Sequence, residues 1–402
     1  MKLGISTSVV QRGKTGIAQY LFGLIRAFQR HTDEHEFVLF VLKEDLPLFD
    51  FAASYTRIIE VPEVHRPAVK NILWHQSHLP KLAAQHQLDV LHIPSYRRML
   101  WPRPCALVST IHDLAPFHVS DKYDWKRMLY GKVVVKRLAH RQQEIIAISQ
   151  NTGRDIQRFF GVPPEKISVI HNGIDHDRFT PASTEAARHL VAEKHALRAP
   201  FFLYVARLEH PAKNHVRLIE AFERFKEQTG SDWQLVFGGS DWHGAEEIHN
   251  RIRQSPVANH IRSLGFVPAE LPSLYRAASC FIYPSLFEGF GMPPIEAMAC
   301  GCPVISSSRG SLEEVVGDAA IIIDPENVTQ MSDQMKSLAS DNGLRERLRN
   351  KGLEHAQRFT WARAAEETLR IYAQAATGIK PAPSNIVALP APTGSRTSVA
   401  RS

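Results

Sequence analysis

Tyr283-Pro-Ser-Leu-Phe-Glu288-Gly-Phe-Gly-Met-Pro-Pro-Ile-Glu296-Ala-Met-Ala-Cys-Gly301-Cys-Pro-Val-Ile305 is the stretch from which the rest of the chain can be read. The apolar run at 280–283 has the composition of a buried parallel strand. It stops at Pro284, and a turn holding Gly289 and Gly291 follows. Pro293 and Pro294 suit the opening of a helix, where a missing N–H costs nothing, and Gly301 closes it. This predicts a helix over 294–300, with Glu288 in the glycine loop and Glu296 in the first turn. Backbone N–H groups exposed at a helix N-terminus suit a phosphate or sugar hydroxyls. Each carboxylate can take two hydroxyls of a sugar or ribose. The bland alternative is an exposed loop Glu followed by a helix-start Glu that merely favours the dipole.

Outward from this stretch, short apolar runs alternate with helical patterns. After Pro200 they fall at 201–205, 234–237, 261–266, 280–283, 304–306 and 320–323. Before it they fall at 2–7, 37–42, 57–61, 90–94, 107–111, 145–149 and 168–171. Such alternation argues for parallel sheets covered by helices on both faces. Two series of this size predict two doubly wound α/β domains, 1–178 and 179–359, with the polar segment 179–199 between them. A helix over 360–376 opens at Thr360, and a Pro-, Ala-, Ser- and Thr-rich tail over 378–402 is expected to be disordered.

Two glutamates with seven residues between them, in Glu288-Gly-Phe-Gly-Met-Pro-Pro-Ile-Glu296-Ala-Met-Ala-Cys-Gly-Cys-Pro-Val-Ile, resemble the signature of retaining glycosyltransferases of family four. The resemblance implies the GT-B fold, two Rossmann-like doubly wound domains facing each other across a cleft, with the 360–376 helix crossing back to the first. It implies that Glu288 meets the transferred sugar and that Glu296 binds the nucleotide ribose. Tyr204-Val-Ala-Arg207-Leu-Glu-His-Pro-Ala-Lys213 is a strand and a basic loop before a helix, which suits a diphosphate. By resemblance Arg207 and Lys213 grip the donor phosphates, and the backbone of Gly289, Phe290, Gly291 and Met292 assists. Gly239 ends a strand at the edge where open sheets bind ligands, as a wall for the nucleotide or as a plain turn. Leu264-Gly-Phe266 resembles the family segment lying against the base, and Gly16 the mobile loop over donor phosphates and acceptor. His112 and Asp113 end another buried strand and should face the cleft; the family carries a His there, beside the sugar and the acceptor hydroxyl. Ser149 and His171-Asn172-Gly173-Ile-Asp175 are taken as structural.

The activity this implies is retaining transfer of a hexosyl group from a nucleotide sugar to a carbohydrate or lipid-linked saccharide acceptor, in surface polysaccharide or glycolipid assembly. Ala206-Arg-Leu-Glu-His-Pro and Ser109-Thr-Ile-His-Asp-Leu-Ala-Pro resemble bacterial mannosyl- and rhamnosyl-type enzymes, which favours GDP-mannose. The family implies no cofactor and no essential metal. Two rivals stand. One is a GT-B partner that binds a nucleotide sugar without turnover. The other is a nucleotide-dependent kinase or ATPase, because Gly13-Lys14-Thr15 is P-loop-like, although Ser8 stands where that motif needs Gly.

Across 402 residues, 44% hydrophobic and 22% charged content fits an ordinary globular enzyme, and no apolar run reaches the roughly 18 residues of a membrane span. The four cysteines fit no zinc spacing and are expected to be reduced in a cytoplasmic protein. The net charge of +7 matters where it concentrates. Trp125, Lys126, Arg127, Lys132, Lys136, Arg137, His140 and Arg141 form an amphipathic basic run over 125–141, with Arg97, Arg98, Trp101 and Arg103 upstream. It suits either docking on an anionic membrane surface or packing on the sheet with solvated charges. No nucleic-acid motif accompanies it.

Overall fold

The structure is a computed structural model and describes residues 1–13, 15–118 and 130–378. Strands β1 (Lys2–Ser6), β2 (Glu36–Leu42), β3 (Arg57–Val61), β4 (Val90–Ile93), β5 (Ala106–Ile111), β6 (Glu144–Ala147) and β7 (Ile167–Val169) form one sheet. Its order is β3-β2-β1-β4-β5-β6-β7. Strands β8 (Phe201–Val205), β9 (Gln234–Gly238), β10 (Ile261–Ser263), β11 (Cys280–Tyr283), β12 (Val304–Ser307) and β13 (Ile321–Ile323) form a second, ordered β10-β9-β8-β11-β12-β13. Neighbours within both sheets run parallel. Phe37 to Leu42 in β2 and Cys280 to Tyr283 in β11 are buried without alternation, as strands with helices on both faces must be. This is the two-domain GT-B fold.

Each sheet reverses its strand order once, between β1 and β4 and between β8 and β11. Loops leaving adjacent strands diverge at such a point and open a crevice at the carboxyl ends. The second reversal decides where the chemistry sits, because the glycine loop leaves β11 and the basic loop leaves β8.

The last described helix, Trp361–Thr377, is capped by Thr360, whose hydroxyl accepts from Arg363 N at 3.2 Å. Its buried Ala364, Ala365, Leu369, Tyr372 and Ala375 join Leu3, Ile5, Val108 and Ile146 of the first sheet in one apolar cluster. Gly23, on the helix Gly16–Phe28, makes room for it, since a Cβ there would meet the Trp361 ring at 2.1 Å.

Local boundaries differ from expectation in one instructive place. The helix expected over 294–300 runs Met292–Ala299, because Gly291 takes a left-handed φ of 88° as its N-cap. Glu296 is therefore its fifth residue, in the second turn. Lys14, residues 119–129 with the start of the basic run, and the tail from 379 onward lie outside the described residues. Of that run, Lys136–Arg141 is α-helical. Among the described residues no helix is long and apolar enough to cross a membrane.

Candidate active site

The two loops at the β8–β11 crevice are tied together before any side chain reaches out. Leu286 N donates to Ala212 O (3.1 Å), and Asn214 Nδ2 donates to Pro284 O (3.1 Å) and Pro325 O (2.7 Å). The buried Tyr204 hydroxyl donates to Lys213 O at 2.7 Å, fixing the residue that bears the charge. Lys213 Nζ then meets Glu288 Oε1 at 2.5 Å, and the Tyr283 hydroxyl donates to the same oxygen at 2.9 Å. Both side chains of the pair are largely shielded, with 16% and 15% exposure. Glu288 O is held from behind by Ser311 N (3.1 Å) and Ser311 Oγ (3.0 Å). Glu288 Oε2 has no hydrogen-bond partner among the described residues.

The first lobe closes directly on this loop. A Cβ at Gly289 would stand 1.9 Å from His112 O and 2.8 Å from Asp113 Cβ, so only glycine permits the approach. Thr152 Oγ1 bridges the seam, donating to Gly289 O at 3.4 Å. Gly16 comes within van der Waals range of Met292, a Cβ there lying 3.9 Å from the Met292 Cε. The structure therefore brings Gly16, His112 and Asp113 together with Lys213, Glu288, Gly289 and Met292.

His112 Nε2 is buried and has no hydrogen-bond partner among the described residues. Burial lowers the His112 pKa to about 4, against a weaker opposing pull from the Pro94 backbone, so the ring is neutral at pH 7. Tyr20 stands edge-on to it at 4.8 Å between centroids. Behind Tyr20 runs a buried chain: Tyr20 hydroxyl to Thr110 Oγ1 (3.0 Å), Thr110 Oγ1 to His92 Nε2 (2.7 Å), and His92 Nδ1 to the Tyr372 hydroxyl (2.7 Å).

The remaining expected residues spread along the second-lobe rim. Glu296 Oε2 accepts from the Tyr275 hydroxyl at 3.2 Å. Burial raises the Glu296 pKa to about 7, partly offset by that hydrogen bond and by Arg178. The Arg207 guanidinium lies over the Trp242 ring at 4.6 Å and reaches Glu209 Oε2 at 3.3 Å, rather than joining the Lys213–Glu288 pair. Gly239 presses on the Ala206 carbonyl, where a Cβ would sit at 1.9 Å, and its N–H donates to Gly265 O at 2.7 Å. Phe266, beside it, is 66% exposed. The Phe290 ring instead is buried against His171 and Phe359, which leaves its backbone for the cleft.

Several site residues were not anticipated from the sequence: Tyr283 on Glu288, Tyr275 on Glu296, and Glu314. Glu314 crosses the seam, accepting from Gln150 N (2.7 Å) and Asn151 N (3.1 Å), and lies 2.9 Å from His171 Nε2. The tyrosines gave the periodicity of core residues, and that signal hid their hydroxyls.

The family model of glycosyl transferases group 1 matches residues 188–355, and that of Glycosyltransferase Family 4 matches residues 14–178. A D-inositol 3-phosphate glycosyltransferase of Corynebacterium efficiens is 30% identical over 295 residues, covering 70% of this chain and 68% of the relative. The chain belongs to the group 1, family four glycosyltransferases. An O-antigen chain mannosyltransferase B of Escherichia coli is 27% identical to this glycosyltransferase over 392 residues, covering 92% of it and 99% of the relative. In structure, Anabaena HepE in complex with UDP and glucose superposes with a TM-score of 0.73 at 20% identity, covering 93% of this chain and 100% of that one. Membership in this family leaves the P-loop comparison without support.

The Gly289 seam makes a direct forecast. Gly289→Ala should hold the lobes apart and lower transfer at least a hundredfold, while thermal unfolding shifts by only a few degrees. Small-angle scattering should show a larger radius than wild type. An unchanged radius with full activity would show that the seam does not need glycine.

Proposed function

We propose that this glycosyltransferase moves a hexosyl group, mannosyl first among the choices, from a nucleotide sugar to a hydroxyl acceptor with retention at the anomeric carbon. The observation that carries the proposal is the Lys213–Glu288 pair, which two loops remote in sequence place in the crevice opposite the unpartnered His112 Nε2. The near full-length likeness to an O-antigen chain mannosyltransferase supports the mannosyl choice and an acceptor in polysaccharide assembly. HepE, a structural neighbour, was crystallised with UDP and glucose, which supports a nucleotide-sugar donor.

In this proposal Glu288 takes hydroxyls of the transferred sugar through Oε2, with Oε1 held by Lys213 and Tyr283. Negative charge grows on the departing diphosphate, and preorganised positive groups lower that barrier most. Lys213, Arg207 and the backbone N–H groups of 289–292 are assigned this role, the last at the start of the Met292–Ala299 helix. Arg207 would turn from Trp242 to reach the phosphates. Neutral His112 offers a hydrogen bond to the sugar rather than a charge. Glu296 takes the ribose hydroxyls, and Gly239 and Phe266 line the nucleotide. The acceptor enters from the 1–178 domain and the donor from the 179–359 domain.

Lys213→Ala and Arg207→Ala should each slow transfer about a hundredfold, a loss on the order of 3 kcal/mol of transition-state stabilisation, and should stay folded. Thermal-shift comparison of GDP-, UDP- and dTDP-sugars identifies the donor for the assay. Near-normal turnover in both variants would remove that loop from the mechanism.

The raised pKa of Glu296 gives the second test. Its ionised form accumulates above about pH 7, and ribose hydroxyls bond best to the ionised form. GDP affinity should therefore rise from pH 6 to pH 8 more steeply in wild type than in Glu296→Gln. Equal slopes in calorimetric titration would detach Glu296 from the nucleotide.

A peripheral membrane location forms part of the same proposal. Trp101, Val133, Lys136, Arg137, His140 and Arg141 line an open hollow of about 510 Å3 on the first lobe. Trp101 is 54% exposed, with the Arg141 guanidinium 4.7 Å from its ring. A basic surface with exposed apolar groups fits anionic lipid heads. Co-sedimentation should require anionic vesicles and weaken with salt. Equal pelleting with neutral vesicles would leave these charges simply solvated.

A further inference from the structure

Asp113 lies at the Gly289 seam between the lobes and has no role in the proposed mechanism. It follows His112 at the carboxyl end of β5, half-buried, on the first lobe. One oxygen is used locally: Asp113 Oδ1 accepts from Ala115 N at 3.1 Å and starts the short Ala115–His118 turn of helix. Asp113 Oδ2 has no hydrogen-bond partner among the described residues. The group faces Glu288 and Lys213 from the second lobe and Arg97 from the loop after β4. His112 precedes it, and His118 on the following turn is bonded to Asp155 at 2.7 Å. The Gly289 seam holds its Cβ against the glutamate loop, because a Cβ on Gly289 would lie 2.8 Å away.

A cap for the Ala115 N–H needs one oxygen and no burial. Serine or asparagine would do the same without placing a second carboxylate beside Glu288, where like charges oppose each other. Burial and the Glu288 charge both raise the Asp113 pKa. Such an arrangement is costly for stability and marks a functional group. Donor-side needs are already met from the second lobe by Glu288, Glu296, Lys213 and Arg207. The carboxylate contributed by the opposite lobe stands where the other substrate must enter.

We infer that Asp113 is the acceptor-binding carboxylate, taking the hydrogen bond of the attacking hydroxyl on Oδ2 and orienting its lone pair toward the anomeric carbon. This rests on the glycosyl-transfer reading above. With retention, the hydroxyl enters on the face from which the diphosphate leaves. The acceptor O–C1 bond forms as the bond from C1 to the diphosphate oxygen breaks, and that electron pair leaves with the diphosphate. The hydroxyl proton ends on a diphosphate oxygen, so Asp113 is unchanged over the cycle. Lys213 and Arg97, the latter donating from Nε to the Tyr96 hydroxyl at 3.0 Å, favour the ionised carboxylate against burial and Glu288.

Asp113→Asn is the discriminating variant, because its amide oxygen keeps the Ala115 N–H bond while the charge is lost. The assay is nucleotide release from the nucleotide sugar selected by thermal shift, with water standing for the acceptor hydroxyl, and calorimetric titration of the matching nucleoside diphosphate alongside. Hydrolysis should fall at least tenfold in Asp113→Asn, with diphosphate affinity within about twofold of wild type. In wild type the rate should drop on acidification at a pH above the usual carboxylate range, since the ionised form is lost as pH falls through a raised pKa. With donor saturating at every pH, so that the Glu296 effect on nucleotide binding drops out, that limb should vanish in Asp113→Asn. Wild-type hydrolysis in the variant, or an equal loss of rate and diphosphate affinity, overturns the inference. Glu288→Gln run in parallel separates the two claims. If it too hydrolyses normally, the site assignment fails; if it alone is slow, only the role of Asp113 falls.

Discussion

The rest of the cleft depends on one close approach, the backbone of Gly289 lying on the carbonyl of His112. A side chain at 289 would need a Cβ 1.9 Å from that oxygen, so the two lobes can meet here only backbone to backbone. Such a contact has little slack, unlike one between long side chains, and a misplacement of about 1 Å between reacting groups can cost about a hundredfold in rate. It brings His112 and Asp113 from one sheet edge to Glu288 and Lys213 from another. Thr152 bridges the same seam, and Gly16 meets Met292 a short way along it. The positions that looked like separate motifs are thus consequences of one contact.

The polar groups held there are poor choices for stability. A largely shielded lysine–glutamate pair gains little over an apolar pair after both ions are stripped of water. His112 is kept neutral with an unpartnered buried nitrogen, and Glu296 is pushed to about 7 by burial. Groups like these persist where function needs them. The scaffold around them is correspondingly well bonded. Tyr204 on Lys213 O, Asn214 on two carbonyls and Ser311 on Glu288 O hold the backbone, so the side chains do not have to find their places. The buried line from Tyr372 through His92 and Thr110 to Tyr20 does the same behind His112, and it starts on the helix that returns from the far end of the chain.

Apolar runs in the sequence located every strand, because strands covered on both faces carry an unbroken signal that needs no partner to be recognised. That Glu288 and Lys213 each sit in a loop following a strand was also legible, whereas their pairing was not. Side-chain direction was not. Arg207 reads as a phosphate ligand, yet it stacks on Trp242, which leaves a different strand. Tyr275 and Tyr283 read as core, and their rings are core; only the hydroxyls reach Glu296 and Glu288. Glu314 looks like any exposed helix acid until the Gln150–Asp155 helix from the other lobe is set against it. The start of the Met292–Ala299 helix shifted because Gly291 took the cap that the prolines had suggested for later residues. For Arg207 and Glu314 the missing information lay in an element distant in sequence.

Two chain crossings run side by side between the lobes, and this bears on how the cleft opens. Ile174 bridges Thr360, and Gly173 lies so near Trp361 N that a Cβ would approach it to 2.3 Å. The outgoing and returning strands of chain therefore share one hinge line, about which the lobes can turn without unfolding either sheet. Glu314 is fixed next to that line, bonded to two helix-start N–H groups and beside His171. Hydrogen bonds to a charged group contribute about 1.5–3 kcal/mol each when shielded. The Gly289 seam lies close to the same line, since Phe290, next to Gly289, packs against His171 and Phe359, and Thr152 on Gly289 O follows directly after Asn151 on Glu314. The chain crossing and the close approach of Gly289 to His112 are therefore held by one set of contacts rather than two.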